Sequence, residues 1–195
     1  GDVQGLEFEF NNDTAYFKKN IRDFENQAEP NGTRIFNEMA LRYNLKQPWG
    51  FVVPEVSVRS LNNFYDQDTV ENANFRSNSE DKSVVVPQFT LDTGLTFERE
   101  GKYLQTLSPR AFYAYAPHQN QDDYPNFDST AASLNYDQLF NPKRFYGHDR
   151  LEDNNFLTLG LSYSLFDEIG LERLKAGVGQ SYYFEDRRVS LDNVA

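Results

Sequence analysis

The sequence predicts an all-β fold, an antiparallel up-and-down meander of about seven transmembrane strands cut from a large membrane β-barrel. Apolar and polar residues alternate with a period of two along most of the chain, which is the signature of strands with unlike faces. The connections between the alternating segments are short and long in turn. The longest apolar runs, such as Val84-Val85-Val86, are only a few residues long, so no helix can span a bilayer.

Taken in order, the opening stretch sets Leu6, Phe8 and Phe10 against Glu7 and Glu9 and is the weakest of the seven segments. Between Arg34 and Leu45, Ile35, Met39, Leu41, Tyr43 and Leu45 share a parity, and Arg34, Glu38 and Arg42 share the other. From Phe51 to Asn62, Val52, Pro54, Val56 and Val58 oppose Glu55, Ser57 and Arg59. From Ser83 to Arg99, Val85, Pro87, Phe89, Leu91, Leu95 and Phe97 oppose Gln88, Thr90, Asp92 and Glu98. Tyr103, Leu107, Pro109, Tyr113 and Tyr115 then oppose Thr106, Ser108 and Arg110. Leu157, Leu159, Leu161, Tyr163 and Leu165 oppose Thr158, Gly160, Ser162 and Ser164. Last, Leu174, Ala176, Val178 and Tyr182 oppose Arg173, Lys175, Gly177 and Gly179. Pro54, Pro87 and Pro109 lack the donor that a closed ladder needs, so bulges are expected there.

Short turns at 46–50, 100–102 and 167–170 alternate with long polar connections near 18–32, 63–82 and 117–153. A soluble sandwich has no need of that asymmetry, whereas an outer-membrane β-barrel has short turns at one rim and long loops at the other. The apolar parity carries no charge, as lipid demands: Arg or Lys costs about 2–4 kcal/mol at the bilayer midplane and little at the interfaces. Tyr43, Phe97, Tyr103, Tyr115, Tyr163 and Phe184, with Trp49 in a turn, suit aromatic girdles. Single-chain barrels close with even strand numbers, so about seven strands imply a middle section of a larger barrel, and residues 1–195 read as one partial domain. Asp192-Asn193-Val194-Ala195 reads as a loop, and Gly1-Asp2-Val3-Gln4 does not resemble a signal peptide, so any targeting signal is expected upstream.

Composition excludes other classes. The 195 residues carry 30 acids against 19 Lys and Arg, a formal charge of −11, with no clustered basic surface for nucleic acid. With no Cys there is no disulfide, thiolate zinc site or cysteine nucleophile, and His118 and His148 stand alone. The 15% aromatic content argues against disorder. In the 117–153 connection, Asp122, Asp123 and Asp128 lack EF-hand spacing and read as a solvated acidic loop, and no metal or cofactor is expected. Ser129-Thr130 is expected to cap a short helix running through Leu139. His148-Asp149 has no third group in sight and the inward parity offers no His, so no enzyme is expected. Asn31-Gly32-Thr33 reads as a turn. On the inward parity, Glu38, Arg42, Glu55, Arg59, Asp92, Arg110, Arg173 and Lys175 either face a lumenal partner or pair with one another.

The run 107–117, Leu-Ser-Pro-Arg-Ala-Phe-Tyr-Ala-Tyr-Ala-Pro, followed by Pro125-Asn126-Phe127-Asp128, resembles the barrel region of the LPS-assembly family LptD, also called organic solvent tolerance protein. Leu139-Phe140, Arg144-Phe145, Gly147, Asp149-Arg150, Asp153-Asn154-Asn155, the stretch 87–95 and the stretch 178–184 are similar to the same family. The resemblance covers roughly 33–191 and departs from the family at Ser108 and at His118-Gln119. It implies an outer-membrane barrel of Gram-negative bacteria that delivers lipopolysaccharide to the outer leaflet. It further implies a lipoprotein plug, LptE, in the lumen and a periplasmic lipopolysaccharide-transport bridge reached through a domain this chain lacks. Pro117, Pro125, Asn126, Phe127, Asp128, Arg144, Gly147, Asp149 and Arg150 are the loop positions that it marks. The alternative from a different class is a soluble or surface-exposed β-sheet binding module, an adhesin fragment, whose apolar parity would be buried inside the protein.

Overall fold

The computed structural model describes residues 4–18, 31–65, 81–121, 124, 128–133 and 135–191. Asp122, Asp123, Pro125, Asn126, Phe127, Leu134, most of the 18–32 and 63–82 connections and Asp192-Asn193-Val194-Ala195 lie outside the described residues.

Seven long antiparallel strands pair in chain order, β1 (Gly5–Phe17), β2 (Gly32–Gln47), β3 (Gly50–Tyr65), β4 (Lys82–Leu95), β6 (Leu104–Ala116), β9 (Asn154–Phe166) and β10 (Glu172–Tyr183). The short β5 (Phe97–Arg99) prolongs the line of β4 along β6. Within the 117–153 connection, β7 (Thr130–Ala131) pairs with β8 (Phe145–Tyr146), and a single 3₁₀ turn, η1, spans Asp137–Phe140. The sheet is a meander open at both edges, β1 and β10. Its tight turns lie at one end and the long connections at the other, as the loop lengths imply. The weak first segment is a full strand, in register with β2 from Gly5↔Asn44 to Phe17↔Gly32.

The prolines do not make bulges. Opposite Pro54 the β2–β3 ladder skips from Arg42↔Glu55 to Leu45↔Val52 and resumes in the same register. Pro109 sits where the β4–β6 ladder stops at Gly94↔Arg110 and β5 resumes at Phe97↔Leu107, again unshifted. There Thr96 turns its N–H to the Trp49 carbonyl, 2.8 Å away. Pro87 pairs with Val58 and lies beyond the last β4–β6 pair, so its missing donor forfeits no bond to β6. An inserted residue would send every later side chain to the wrong face, and skipping one bond costs less than reversing the faces of a whole strand. Among the described strands, the register shift falls instead at Arg173, between Glu172 and Leu174.

The helix expected from Ser129 to Leu139 is also corrected. Thr130 and Ala131 are extended and pair with Tyr146 and Phe145, and among the described residues of the connection only Asp137–Phe140 turns helically. The Ser129 amide and hydroxyl are both committed to Asp149, which leaves no free cap for a helix starting there.

Candidate functional site: a connection docked on the polar face

The two faces of the sheet have opposite fates. On the apolar parity Met39, Val56, Val58, Val85, Leu159 and Val178 are about half exposed or more. On the other parity the long connection folds back over the wall, and Arg59 (1% exposed), Gln88 and Thr158 (0%) are buried beneath it.

Two apolar anchors seat the connection at the long-loop half of the wall. Tyr124 and Leu151 pack with Phe36, Leu61, Val84, Val86 and Ala116. Phe140, with Tyr136 and Leu139 of the η1 region, packs on Phe112, Ala114 and Phe156. The floor under η1 is cut low by glycines on β9 and β10. A Cβ at Gly160 would overlap the Phe140 ring, one at Gly179 would stand 2.9 Å from Leu139, and one at Gly177 would stand 3.1 Å from Tyr136. Gly160→Val is therefore expected to lift η1 and cost about 1–3 kcal/mol as an overpacked core does. Gly177→Ala needs only a small ring shift and should cost less, a ranking that thermal unfolding of the two full-length variants checks.

Charged groups fix the register of the dock. The Arg34 guanidinium, 2% exposed in its side chain, reaches Asp128 and Asp149 at 2.6 Å each and Asp13 of β1 at 3.3 Å. The Asp149 carboxylate also accepts the amides of Asp128 and Ser129 at 2.9 Å, while its own amide donates to the Ser129 hydroxyl at 3.0 Å. Gly147 holds the turn before it at φ +96°, a conformation that favours glycine, and a Cβ there would overlap Ser129. Arg59 meets Glu152 at 2.7 Å, and the second oxygen of Glu152 accepts the amides of Arg144 and Phe145. Lys143 crosses to Glu38 at 3.1 Å. His148 stacks on Phe36 with ring centroids 4.0 Å apart and meets Asp13 at 3.0 Å.

Arg144 bonds Asp153, whose carboxylate also accepts the amides of Arg188 and Val189 and so ties the segment after β10 to the same hub. Arg150 donates to the carbonyls of Tyr124, Asp149 and Ser190. Gln121 brackets Leu151 like a neighbouring strand, with two bonds of 2.8 Å.

Burial alone pushes the Asp149 carboxyl up, but the amide of Asp128, the Arg34 guanidinium and Ser129 together hold it below the usual carboxylate range. A depressed folded value gives stability that is complete above the unfolded carboxylate range, near pH 3.9, and is lost as pH falls through the folded value. The dock is thus expected to persist at pH 5 and to loosen only below about pH 4. Pepsin cleavage near Phe140 and Leu151, followed against pH, checks this, and Asp149→Asn should flatten the dependence.

The inward charges separate into two groups. Glu38 and Arg59 engage the docked connection. Nearer the tight turns, Arg42 pairs with Glu55 at 2.6 Å, and Arg110 holds Asp92 through two bonds of 2.9 and 2.6 Å. The Arg110 guanidinium also lies 4.3 Å from the Phe140 ring centroid. Arg173 pairs with Asp167 at the β9–β10 turn, and Lys175 is exposed on β10. Pro117 begins the connection just past β6. Between connection and wall a cavity of about 380 Å³ is lined by Glu38, Arg42, Glu55, Gln88 and Asp92 among others. The sequence assigns no contact to Arg34, Glu152 or the three glycines, and marks Asp153 only within the resembling run 153–155. The signal for the glycines is a parity that holds glycine and buried-type apolar residues where a wall facing only water would not.

Comparison with known proteins agrees with this architecture. A family model described as LPS transport system D matches residues 1–195. The chain is 69% identical over 194 residues to the LPS-assembly protein LptD of Acinetobacter baylyi, covering 99% of this chain and 24% of that protein. It is 71% identical over 191 residues to the namesake of Acinetobacter baumannii (98% and 23%) and 35% identical over 179 residues to that of Neisseria meningitidis (87% and 21%). The chain spans about a quarter of the length of these relatives. It belongs to the LptD family.

Proposed function

We propose that the chain is a wall section of an outer-membrane β-barrel in a Gram-negative bacterium that assembles lipopolysaccharide into the outer leaflet. The observation that carries this reading is the inverted burial of the sheet: the apolar parity is bare, and the polar parity is covered over its long-loop half. A soluble binding module requires the reverse, because water would meet Val56 and Leu159 while Arg59 and Thr158 lay in the core. Lipid against the apolar face removes that penalty, and the docked 117–153 connection then fills part of the lumen.

On this reading the polar wall nearer the tight turns, with Arg42, Glu55, Asp92, Arg110, Arg173 and Lys175, faces the lipoprotein plug LptE, while Glu38, Arg59 and the ordered connection support it from the long-loop side. The whole protein receives lipopolysaccharide from a periplasmic bridge. The wall positions and plugs, and the moving chemistry is elsewhere.

The test places single cysteines at Leu159 and Ser162 of the full-length protein, other accessible thiols removed, and compares a membrane-confined with an aqueous labelling reagent. Lipid-side labelling at Leu159 with aqueous labelling at Ser162 is expected. Protection of Leu159 from both reagents means a protein core and moves the reading to the soluble module.

A further inference from the structure

A second cavity, of about 870 Å³, lies between the docked connection, the ends of β9 and β10 and the segment after β10. Its charge is out of keeping with the chain. In a sequence with 30 acids and 19 basic residues, its described lining contains Arg144 and Arg187 and no Asp or Glu.

Each guanidinium is positioned by an aromatic ring, Arg144 lying 5.3 Å from the Phe145 centroid and Arg187 4.5 Å from that of Tyr183. Arg144 spends part of its charge on Asp153, yet its Nε is buried without an acceptor. Among the described residues no ion pair is formed by Arg187. Burial lowers the Arg144 pKa against the opposing pull of Asp153 and Glu152, and the like charge of Arg187 adds to the lowering, which places the two guanidinium groups within reach of one anion. Ser129, Ser181 and Ser190 line the same cavity, the first two with hydroxyls bonded to the Asp149 amide and to Thr158, and Leu139, Phe156 and Val189 give it an apolar side.

We propose that this cavity binds a phosphate group carried on an amphiphile. Phosphate presents several oxygens at once, which suits two guanidinium forks better than the two oxygens of a carboxylate. The volume is several times that of the anion alone, and the apolar side accepts the body to which it is attached. The proposal rests on the outer-membrane reading only for the supply of such an amphiphile. The anion site itself stands on the lining.

The experiment is calorimetric titration of the full-length protein in a neutral maltoside detergent with dihexanoyl phosphatidic acid, dihexanoyl phosphatidylcholine and inorganic phosphate. Saturable binding of phosphatidic acid is expected, with phosphatidylcholine at least about tenfold weaker and Arg187→Gln weakening phosphatidic acid by about tenfold, the effect of losing a charge-assisted bond. Arg188→Gln removes the same charge one residue away, where the described contact is the amide on Asp153, and should leave binding unchanged. Equal binding of the two lipids, or equal effects of the two substitutions, overturns the site. Inorganic phosphate binding as tightly as phosphatidic acid keeps the anion site and overturns the amphiphile. Failure of the membrane reading shows separately, in the labelling of Leu159, and leaves this titration unaffected.

Discussion

Arg59→Ala is expected to destabilise the full-length protein by about 3–5 kcal/mol and to release the 117–153 connection from the wall. The guanidinium and the Glu152 carboxylate are 2% and 4% exposed in their side chains and meet at 2.7 Å, so removing the cation leaves a buried carboxylate without its counter-charge. That remainder, more than the worth of the pair, sets the cost. Glu152 cannot escape by turning outward, because its other oxygen holds the amides of Arg144 and Phe145 at the start of β8. Trypsin reads the outcome: cleavage after Lys143 and Arg144 should accelerate strongly in the variant. Arg59→Met with Glu152→Gln removes both charges, keeps an acceptor for the two amides and restores apolar contact, so it should recover most of the loss. If the double variant is cleaved as fast as Arg59→Ala, the connection is held by something other than this charge balance.

The strands and their faces were legible because alternation is written residue by residue, and a bilayer enforces it more strictly than a protein core. Val52, Val56 and Val58 against Ser57 and Arg59 settle the orientation of β3 with no reference to its neighbours. Loop lengths were legible for the same reason. A connection as long as 117–153 is itself a reason to expect it to fold over or into the lumen, but the contacts that hold it there were not legible, because their evidence is spread across the chain: Arg34 meets Asp149 at a separation of 115 residues, and Arg59 meets Glu152 at 93. Local patterning carries no information about pairs so far apart. A trace of the dock did exist in the inward parity. Phe36, Leu61, Val84, Val86, Phe112 and Phe156 are apolar on a face expected to be wet, and all of them lie in the half of the wall toward the long connections. Gly160, Gly177 and Gly179 mark where η1 rests. The prolines misled for a complementary reason: a missing donor suggests a bulge locally, but the register is a property of the whole strand and resists it.

The same asymmetry decides where a new charge is tolerated. Leu159→Arg places a guanidinium near the middle of β9 on the bare apolar parity, where Leu159 is 49% exposed, and is expected to cost about 2–4 kcal/mol in a bilayer or lipid-like micelle. Ser162→Arg, three residues along on the opposite parity and away from the docked connection, should cost under about 1 kcal/mol, because its charge stays hydrated. The strand is shared and both positions lie within two residues of its middle, so the difference reports chiefly the face. Urea unfolding of the full-length variants in phospholipid vesicles measures both, and Phe97→Arg, near the rim formed by the tight turns, should fall between them because the penalty fades toward the interface. A soluble sheet makes a different demand: Leu159→Arg at a packed interface would cost as much in plain buffer as in vesicles, and the rim position would gain no relief from its depth. The ordering of the three variants in lipid, and its loss in water, therefore separates the two environments by energy alone.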